Sequence, residues 1–151
     1  MVEGSEVVAF FSLSNDTLVC DPDLGTRSFW DRFKKRFAYK KRRKSYPAVK
    51  LGRLGVSSKC QSAGLGTDIL DLLKMWFVTN NKTGCRFITV DGYNNPRAIR
   101  FYTRNEFDFL TESDEKQDTR LMYFDLKPFH LLLSQSGSVS FGAVVTTTPA
   151  I

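Results

Sequence analysis

The sequence predicts a mixed α/β fold in a single domain. Its 151 residues suffice for one well-packed domain and are short for two. Strand-like and helix-like patterns alternate along the chain, which is typical of mixed α/β proteins. The 13 phenylalanines and the apolar fraction of 42% indicate a core built on aromatic packing.

The first predicted element is a β-hairpin between Val7 and Val19, with residues 14–16, Ser-Asn-Asp, as its turn. A break at residues 21–25 follows, and then four aromatic residues recur at helical spacing, namely Phe29, Trp30, Phe33 and Phe37. They predict a surface helix that docks its aromatic stripe on the core. A second interpretation is an aromatic and basic face that stacks nucleic acid.

The rest of the chain is predicted to alternate strands with helices. Residues 48–56 have strand-like alternation, a Gly-rich loop runs from 57 to 66, and apolar spacing from Leu65 to Phe77 predicts a helix that ends by 84. Residues 85–90 predict a short buried strand, and Pro96 begins a helix that extends to about Arg104. Residues 107–111 and 121–126 predict an antiparallel hairpin around a polar turn.

Several classes of protein are not expected. The three cysteines cannot all pair, and none has a metal-ligand spacing, so structural zinc is not expected. The sequence has no signal-peptide pattern and no run of the roughly 18 to 20 apolar residues that a membrane helix needs. We therefore expect a cytoplasmic protein with reduced thiols, no bound metal and no membrane partner.

The formal charge of +6 is concentrated in a basic block at residues 32–44. Its centre is the run Lys40, Lys41, Arg42 and Arg43. Such a block indicates an anionic partner, tRNA among them, or a solvated loop.

The C-terminal segment, residues 128–151, differs in composition from residues 1–127 because it carries no formal charge. Three interpretations stay open: a disordered tail, a strand that pairs with another chain in a homodimer, or a terminus foreign to the domain.

The loop Gln61-Ser62-Ala63-Gly64-Leu65-Gly66 carries the clearest chemical signal. It joins a predicted strand to a predicted helix, and its glycines allow backbone N–H groups to turn inward. These N–H groups and the helix dipole suit a pyrophosphate, and the Thr67 hydroxyl lies in the same turn. The loop matches neither the Rossmann G-x-G-x-x-G nor a P-loop.

With the preceding residues 51–56, Leu-Gly-Arg-Leu-Gly-Val, this loop resembles the acetyl-CoA signature Q/R-x-x-G-x-G/A of the GNAT superfamily of N-acetyltransferases. Residues 95–107, Asn-Pro-Arg-Ala-Ile-Arg-Phe-Tyr-Thr-Arg-Asn-Glu-Phe, resemble the N-x-x-A-x-x-F-Y-x-x-x-G-F motif of the same family. Residues 47–54 and the Val90-Asp91 step look closest to the branch that includes acetyltransferase toxins acting on aminoacyl-tRNA. The resemblance implies a mixed, mainly antiparallel sheet flanked by helices.

The resemblance also implies roles for individual residues. The strand that contains Leu54 and Val56 is expected to splay from its neighbour and to bond the pantetheine arm of acetyl-CoA, with the Val56 N–H on the thioester carbonyl. Tyr102 is the expected general acid. The coenzyme-binding residues it implies are Leu54, Gly55, Val56, Gln61, Ser62, Ala63, Gly64, Leu65, Gly66, Thr67 and Asn95.

Two departures from the family pattern are apparent. Glu106 stands where the family usually has Gly, and we expect Asn105 to take the positive φ of that turn instead. The family's first strand and its following helices have no counterpart before Val7, so the domain is expected to be N-terminally short. No general base is evident.

Three functions are consistent with these patterns. The first is an N-acetyltransferase whose acceptor is either aminoacyl-tRNA or a smaller amine. The second is a non-catalytic acyl-CoA-binding or assembly module. The third is a nucleic-acid-binding protein that uses the aromatic and basic residues.

Overall fold

The computed structural model describes residues 2–3, 6–19, 31, 45–79 and 83–135. Within these ranges lie a five-stranded sheet, a separate pair of short strands and three α-helices. The strands are β1 Val2–Glu3, β2 Glu6–Val7, β3 Ala9–Val19, β4 Ser45–Val56, β5 Phe87–Tyr93, β6 Asp108–Phe109 and β7 Thr119–Asp125. The helices are α1 Leu65–Thr79, α2 Pro96–Arg104 and α3 Leu126–Gln135.

The five-stranded sheet has the order β3-β4-β5-β7-β6. The pair β4 and β5 is parallel, and the other three pairs are antiparallel. Strands β1 and β2 form a two-stranded antiparallel sheet of their own. The prediction of a mixed, mainly antiparallel sheet flanked by helices in a single domain is therefore confirmed.

Most predicted elements are confirmed within a few residues. The strand predicted at 48–56 is β4, the helices predicted from Leu65 and Pro96 are α1 and α2, and the last hairpin is β6 with β7. Helix α3 was not predicted. It begins where β7 ends and packs against α1.

The predicted hairpin between Val7 and Val19 is wrong. Residues Ala9–Val19 form one continuous strand that pairs with β4 along its whole length. The expected turn residue Asp16 lies opposite Ala48 and accepts a hydrogen bond from the hydroxyl of Thr89. A tertiary hydrogen bond therefore satisfies the carboxylate of Asp16, the residue that the sequence had placed in a turn.

Apolar side chains pack on both faces of the sheet. The first face carries the larger cluster, in which Leu51, Val90 and Met122 lie beneath Leu70 and Leu73 of α1. Tyr102 of α2 belongs to the same cluster. The second face carries the smaller cluster of Leu18, Tyr46, Ala48, Phe87, Leu110 and Tyr123. Because successive residues of a strand face opposite ways, the three central strands are buried on both sides.

Several features named by the sequence lie outside the described residues. These are the aromatic stripe, the basic block that includes Lys40 to Arg43, Cys20, and the segment after Gln135. Cys60 and Cys85 form no disulfide with each other or with another residue that the structure describes. Of the helices that the structure describes, none is both long and apolar enough to cross a membrane.

Candidate active site

The candidate site is built around a fork between the parallel strands β4 and β5. Their pairing runs from Ala48 opposite Phe87 to Leu51 opposite Val90, and beyond Leu51 strand β4 continues against β3 only. On the β3 side, Leu13 pairs with Leu51 and Ser12 with Arg53, which leaves Gly52 as an extra residue in β4. A bulge of this kind bends its strand, so β4 turns away from β5 where their pairing ends.

The backbone of β4 turns groups that do not pair with another strand toward this fork. Ser57 N–H donates to the Val8 carbonyl at 2.8 Å, so Val56 and its partner Ala9 form a non-hydrogen-bonded pair of the antiparallel ladder. The N–H and C=O of Val56 consequently point away from β3, and by the two-residue repeat those of Leu54 do too. The expected splaying of this strand is confirmed.

Gly55 lies between these two residues, and the ladder turns its backbone groups toward β3. The ring of Phe10 covers it, so a Cβ at this position would collide with that ring. The glycine therefore allows the two strands to pair under an aromatic side chain.

The loop after β4 turns tightly before α1. Ser62 and Gly64 both have positive φ, at 66° and 87°. The Gly64 carbonyl accepts a hydrogen bond from Asp68 N–H at 3.1 Å, which makes Gly64 the residue that caps α1. The N–H groups of the following residues, Leu65, Gly66 and Thr67, have no intrahelical acceptor and point out of the helix N-terminus.

This loop has room for a ligand. Residues 61–64 and Thr67 are exposed, and a Cβ added at Gly64 would meet nothing within 4 Å. Open space, outward N–H groups and the positive end of the α1 dipole fit a pyrophosphate. The residues present therefore fit the acyl-CoA implied by the sequence resemblance.

Gln61 ties the loop to two other elements. Its side-chain N–H group donates to the Val56 carbonyl at 3.0 Å, and its side-chain oxygen accepts from the guanidinium of Arg97 at 2.5 Å. Arg97 lies in the first turn of α2. No pattern in the sequence predicts this role of Arg97, because the contact joins residues 36 positions apart.

Glycine is suited to position 66 for a different reason from that at position 64. Its φ is not positive, but a Cβ there would lie 3.1 Å from the ring of Phe101. A side chain there would press on that ring, so glycine favours the close approach of α2 to the start of α1.

Tyr102 of α2 is buried, with 9% of its surface exposed. Its ring lies against Gly92 of β5 and packs edge-on to Phe101 and Phe107, at centroid distances of 5.1 and 5.6 Å. Desolvation raises the pKa of the Tyr102 hydroxyl above its usual value of 10. Within the described part of the chain that hydroxyl has no hydrogen-bond partner, so Tyr102 is a protonated, uncommitted donor beside the fork.

Asn95 caps α2, because its side-chain oxygen accepts from Ala98 N–H at 2.9 Å. The neighbouring Asn94, whose role no sequence pattern predicted, donates to the carbonyls of Glu115 and Gln117 in the β6–β7 turn. The two asparagines hold the start of α2 against that turn.

The expectation that Asn105 would adopt positive φ is wrong. Asn105 has φ −95°, and Glu106 takes the left-handed conformation with φ 67°. The N–H of Glu106 donates to the Thr103 carbonyl, and that of Phe107 donates to the Tyr102 carbonyl. This is a Schellman ending of α2 in which Glu occupies the position that usually takes Gly.

Comparisons with known proteins agree with this geometry. A family model described as the acetyltransferase (GNAT) family matches residues 3–107. A comparison with curated proteins found no significant match.

Several similar solved structures are toxins. A bacterial toxin aligns with a TM-score of 0.62 at 18% identity, over 89% of this chain and 67% of its own length. AtaT complexed with acetyl-methionyl-tRNAfMet aligns with a TM-score of 0.57 at 20% identity, over 83% of this chain and 66% of AtaT. A mutant AtaT bound to acetyl-CoA and the C-terminus of the antitoxin AtaR aligns with a TM-score of 0.55 at 18% identity, over 85% and 64%. The chain thus spans about two thirds of their length, and at these identities the likeness establishes the fold.

Proposed function

The chain belongs to the acetyltransferase (GNAT) family, and from that premise we propose that it transfers the acetyl group of acetyl-CoA to an amine. The observation that carries the proposal is the fork beyond Leu51 and Val90, along which the backbone groups of Leu54 and Val56 are turned away from β3. An extended arm placed in the fork would pair with β4 as an added strand does.

Leu54 and Val56 hold the pantetheine arm in this proposal. The N–H of Val56 donates to the thioester carbonyl and stabilises the negative charge that its oxygen gains during acyl transfer. Gly55 leaves room for the ring of Phe10 where β3 and β4 pair. The side-chain N–H group of Gln61 bonds the Val56 carbonyl, so the N–H is the backbone group of Val56 that is left for the ligand.

The loop holds the phosphates. Ser62, Ala63 and Gly64 form the exposed turn, and the N–H groups of Leu65, Gly66 and Thr67 face the anion at the helix N-terminus. Asn95 acts mainly by capping α2, which keeps the Tyr102 helix in place.

Tyr102 supplies the proton that the departing thiolate takes. Its burial raises the pKa of its hydroxyl, so the group is protonated throughout the neutral range. Since its hydroxyl has no partner among the described residues, it can donate to the thiolate without breaking an existing bond.

We further propose that the acceptor is the amine of aminoacyl-tRNA, and that the protein acts as a toxin with a cognate antitoxin in the cytoplasm. The fold shared with AtaT, which is solved with acetyl-methionyl-tRNAfMet, supports this acceptor. The charge of the basic block supports a phosphate-rich partner.

The decisive experiment is an acetyl-CoA titration followed by transfer assays with aminoacylated tRNA and small amines. The proposal predicts binding and an N-acetylated product. Binding without any product would favour the acyl-CoA-binding module instead, and no binding would refute both.

A second experiment tests the RNA acceptor. Replacing the four basic residues with Ser should weaken tRNA binding and flatten its salt dependence, because fewer counterions are released, while acetyl-CoA still binds. Equal salt slopes for the wild type and the variant would refute the RNA contact. The residues replaced are Lys40, Lys41, Arg42 and Arg43.

A further inference from the structure

The second face of the sheet changes character towards the fork. Away from the fork it is apolar, around Phe87 and Tyr123. Strand alternation places five polar side chains on this face nearer the fork, namely Ser14, Asp16, Lys50, Thr89 and Asp91. The second face is therefore polar at the end where the fork opens.

Two contacts organise this polar end. Thr89 of β5 is 1% exposed, and its hydroxyl donates across β4 to the carboxylate of Asp16 in β3. The ammonium of Lys50 lies 2.5 Å from one carboxylate oxygen of Asp91. The other oxygen of Asp91 has no partner among residues that the structure describes, and about half of this side chain is exposed.

Asp91 also has a defined place relative to the fork. It is the first residue of β5 beyond the last pair with β4. The ring of Tyr102 packs against the next residue, Gly92, on the first face. Asp91 and Tyr102 therefore lie on opposite sides of one strand, at the point where the fork opens.

We propose that Asp91, oriented by Lys50, is the subsite for the acceptor's amine, an inference that rests on the proposed acetyl transfer. The loop of residues 61–67 and α1 lie on the first face, so a coenzyme held there enters the fork from that side. The acceptor then reaches the acetyl carbon from the second face, where the free oxygen of Asp91 lies.

The proposed transfer needs two proton transfers, one at the amine and one at the thiolate. A neutral amine donates one N–H to Asp91, which directs its lone pair at the carbonyl carbon. As the C–N bond forms and the C–S bond breaks, Asp91 stabilises the positive charge on nitrogen and takes its surplus proton, which passes to water. The thiolate takes the hydroxyl proton of Tyr102, and water returns one to Tyr102. The products are the N-acetylated amine and free CoA thiol.

The test is Asp91→Asn, with glycine methyl ester and aminoacylated tRNA as acceptors. The substitution keeps the shape and removes the charge. We expect kcat/KM for transfer to fall by about 10²-fold or more, the usual effect of removing one charge-stabilising group. The Kd of acetyl-CoA should stay within about twofold, because Asp91 faces away from the coenzyme side. Asp108→Asn, an exposed substitution on the outer strand β6, is the matched control and should transfer at the wild-type rate.

A second variant separates this role from a merely structural ion pair. Lys50→Met breaks the same pair but leaves the Asp91 carboxylate in place, so it should lose clearly less transfer activity than Asp91→Asn. Equal losses in the two variants, or wild-type transfer by Asp91→Asn, would overturn the subsite while leaving acetyl transfer intact. A wild type that binds acetyl-CoA but acetylates none of these amines would overturn the proposed function and the subsite together.

Discussion

Replacing Tyr102 with phenylalanine tests the proposed mechanism at a single atom. The ring keeps its edge-on contacts with Phe101 and Phe107 and its place against Gly92. The hydroxyl that is lost is buried and has no hydrogen-bond partner in the described chain. Because removing an unpaired buried polar group relieves its desolvation, the free energy of unfolding should stay constant or rise by up to about 1 kcal/mol.

The kinetic effect should be large by contrast. A positioned general acid contributes about 10²- to 10⁴-fold, so Tyr102→Phe should raise the barrier by about 3 to 5 kcal/mol. The measurements are kcat for acetyl transfer, the Kd of acetyl-CoA by calorimetry, and a denaturant melt at neutral pH. The Kd should stay near the wild-type value, because the coenzyme contacts proposed here are backbone groups of β4 and the loop.

The control is Tyr123→Phe, which removes the hydroxyl of a buried tyrosine on the second face of β7. This variant should keep the wild-type kcat per folded molecule. If Tyr102→Phe also turns over at the wild-type rate, the hydroxyl has no role in proton transfer, and Tyr102 serves only as a core aromatic.

Burial raises the pKa of Tyr102 in the folded protein. Below about pH 10 the residue is protonated in both the folded and the unfolded chain, so it leaves the free energy of unfolding unchanged. Above about pH 10 the unfolded chain loses the proton first, and the free energy of unfolding falls by at most about 1.4 kcal/mol per pH unit. Comparative pH melts should show that loss in wild type and not in Tyr102→Phe. Gly64→Val, at φ 87°, should abolish the rise in Tm caused by acetyl-CoA, and an undiminished rise in a folded variant would refute the phosphate assignment. Glu106→Gly should be more stable than Glu106→Ala by about 1 kcal/mol in denaturant melts. Both variants lose the 3.7 Å contact with Lys74, but only glycine adopts the left-handed backbone conformation without strain. Equal stabilities of the two variants would refute that strain.

Local sequence patterns predicted the elements that local physics determines. The apolar spacing of α1, the Pro96 start of α2 and the β6–β7 hairpin depend on nearby residues, and all three are confirmed. The fork was predicted only through the family resemblance. Its cause, the extra residue Gly52, depends on the register between β3 and β4, which no single segment encodes.

The wrong predictions have tertiary causes. Residues 14–16 have turn composition, but Asp16 is satisfied by Thr89, which lies 73 residues away in sequence. Asn105 tolerates positive φ better than Glu106 does. The Asn105 side chain instead donates to the Phe101 carbonyl at 2.8 Å, and this bond holds Asn105 at the end of the helix. The left-handed conformation is then adopted by the next residue, Glu106.

The tie between the Gly-rich loop and α2 has a thermodynamic consequence. The Gln61 bond to Arg97 and the packing of Phe101 on Gly66 hold the phosphate-facing turn against the helix that carries Tyr102. A ligand that docks on a turn already held in place sacrifices little conformational entropy, so more of its contact energy becomes affinity. Cutting the tie, as in Arg97→Ala, therefore weakens coenzyme association through lost preorganisation, although no atom of Arg97 has to touch the ligand.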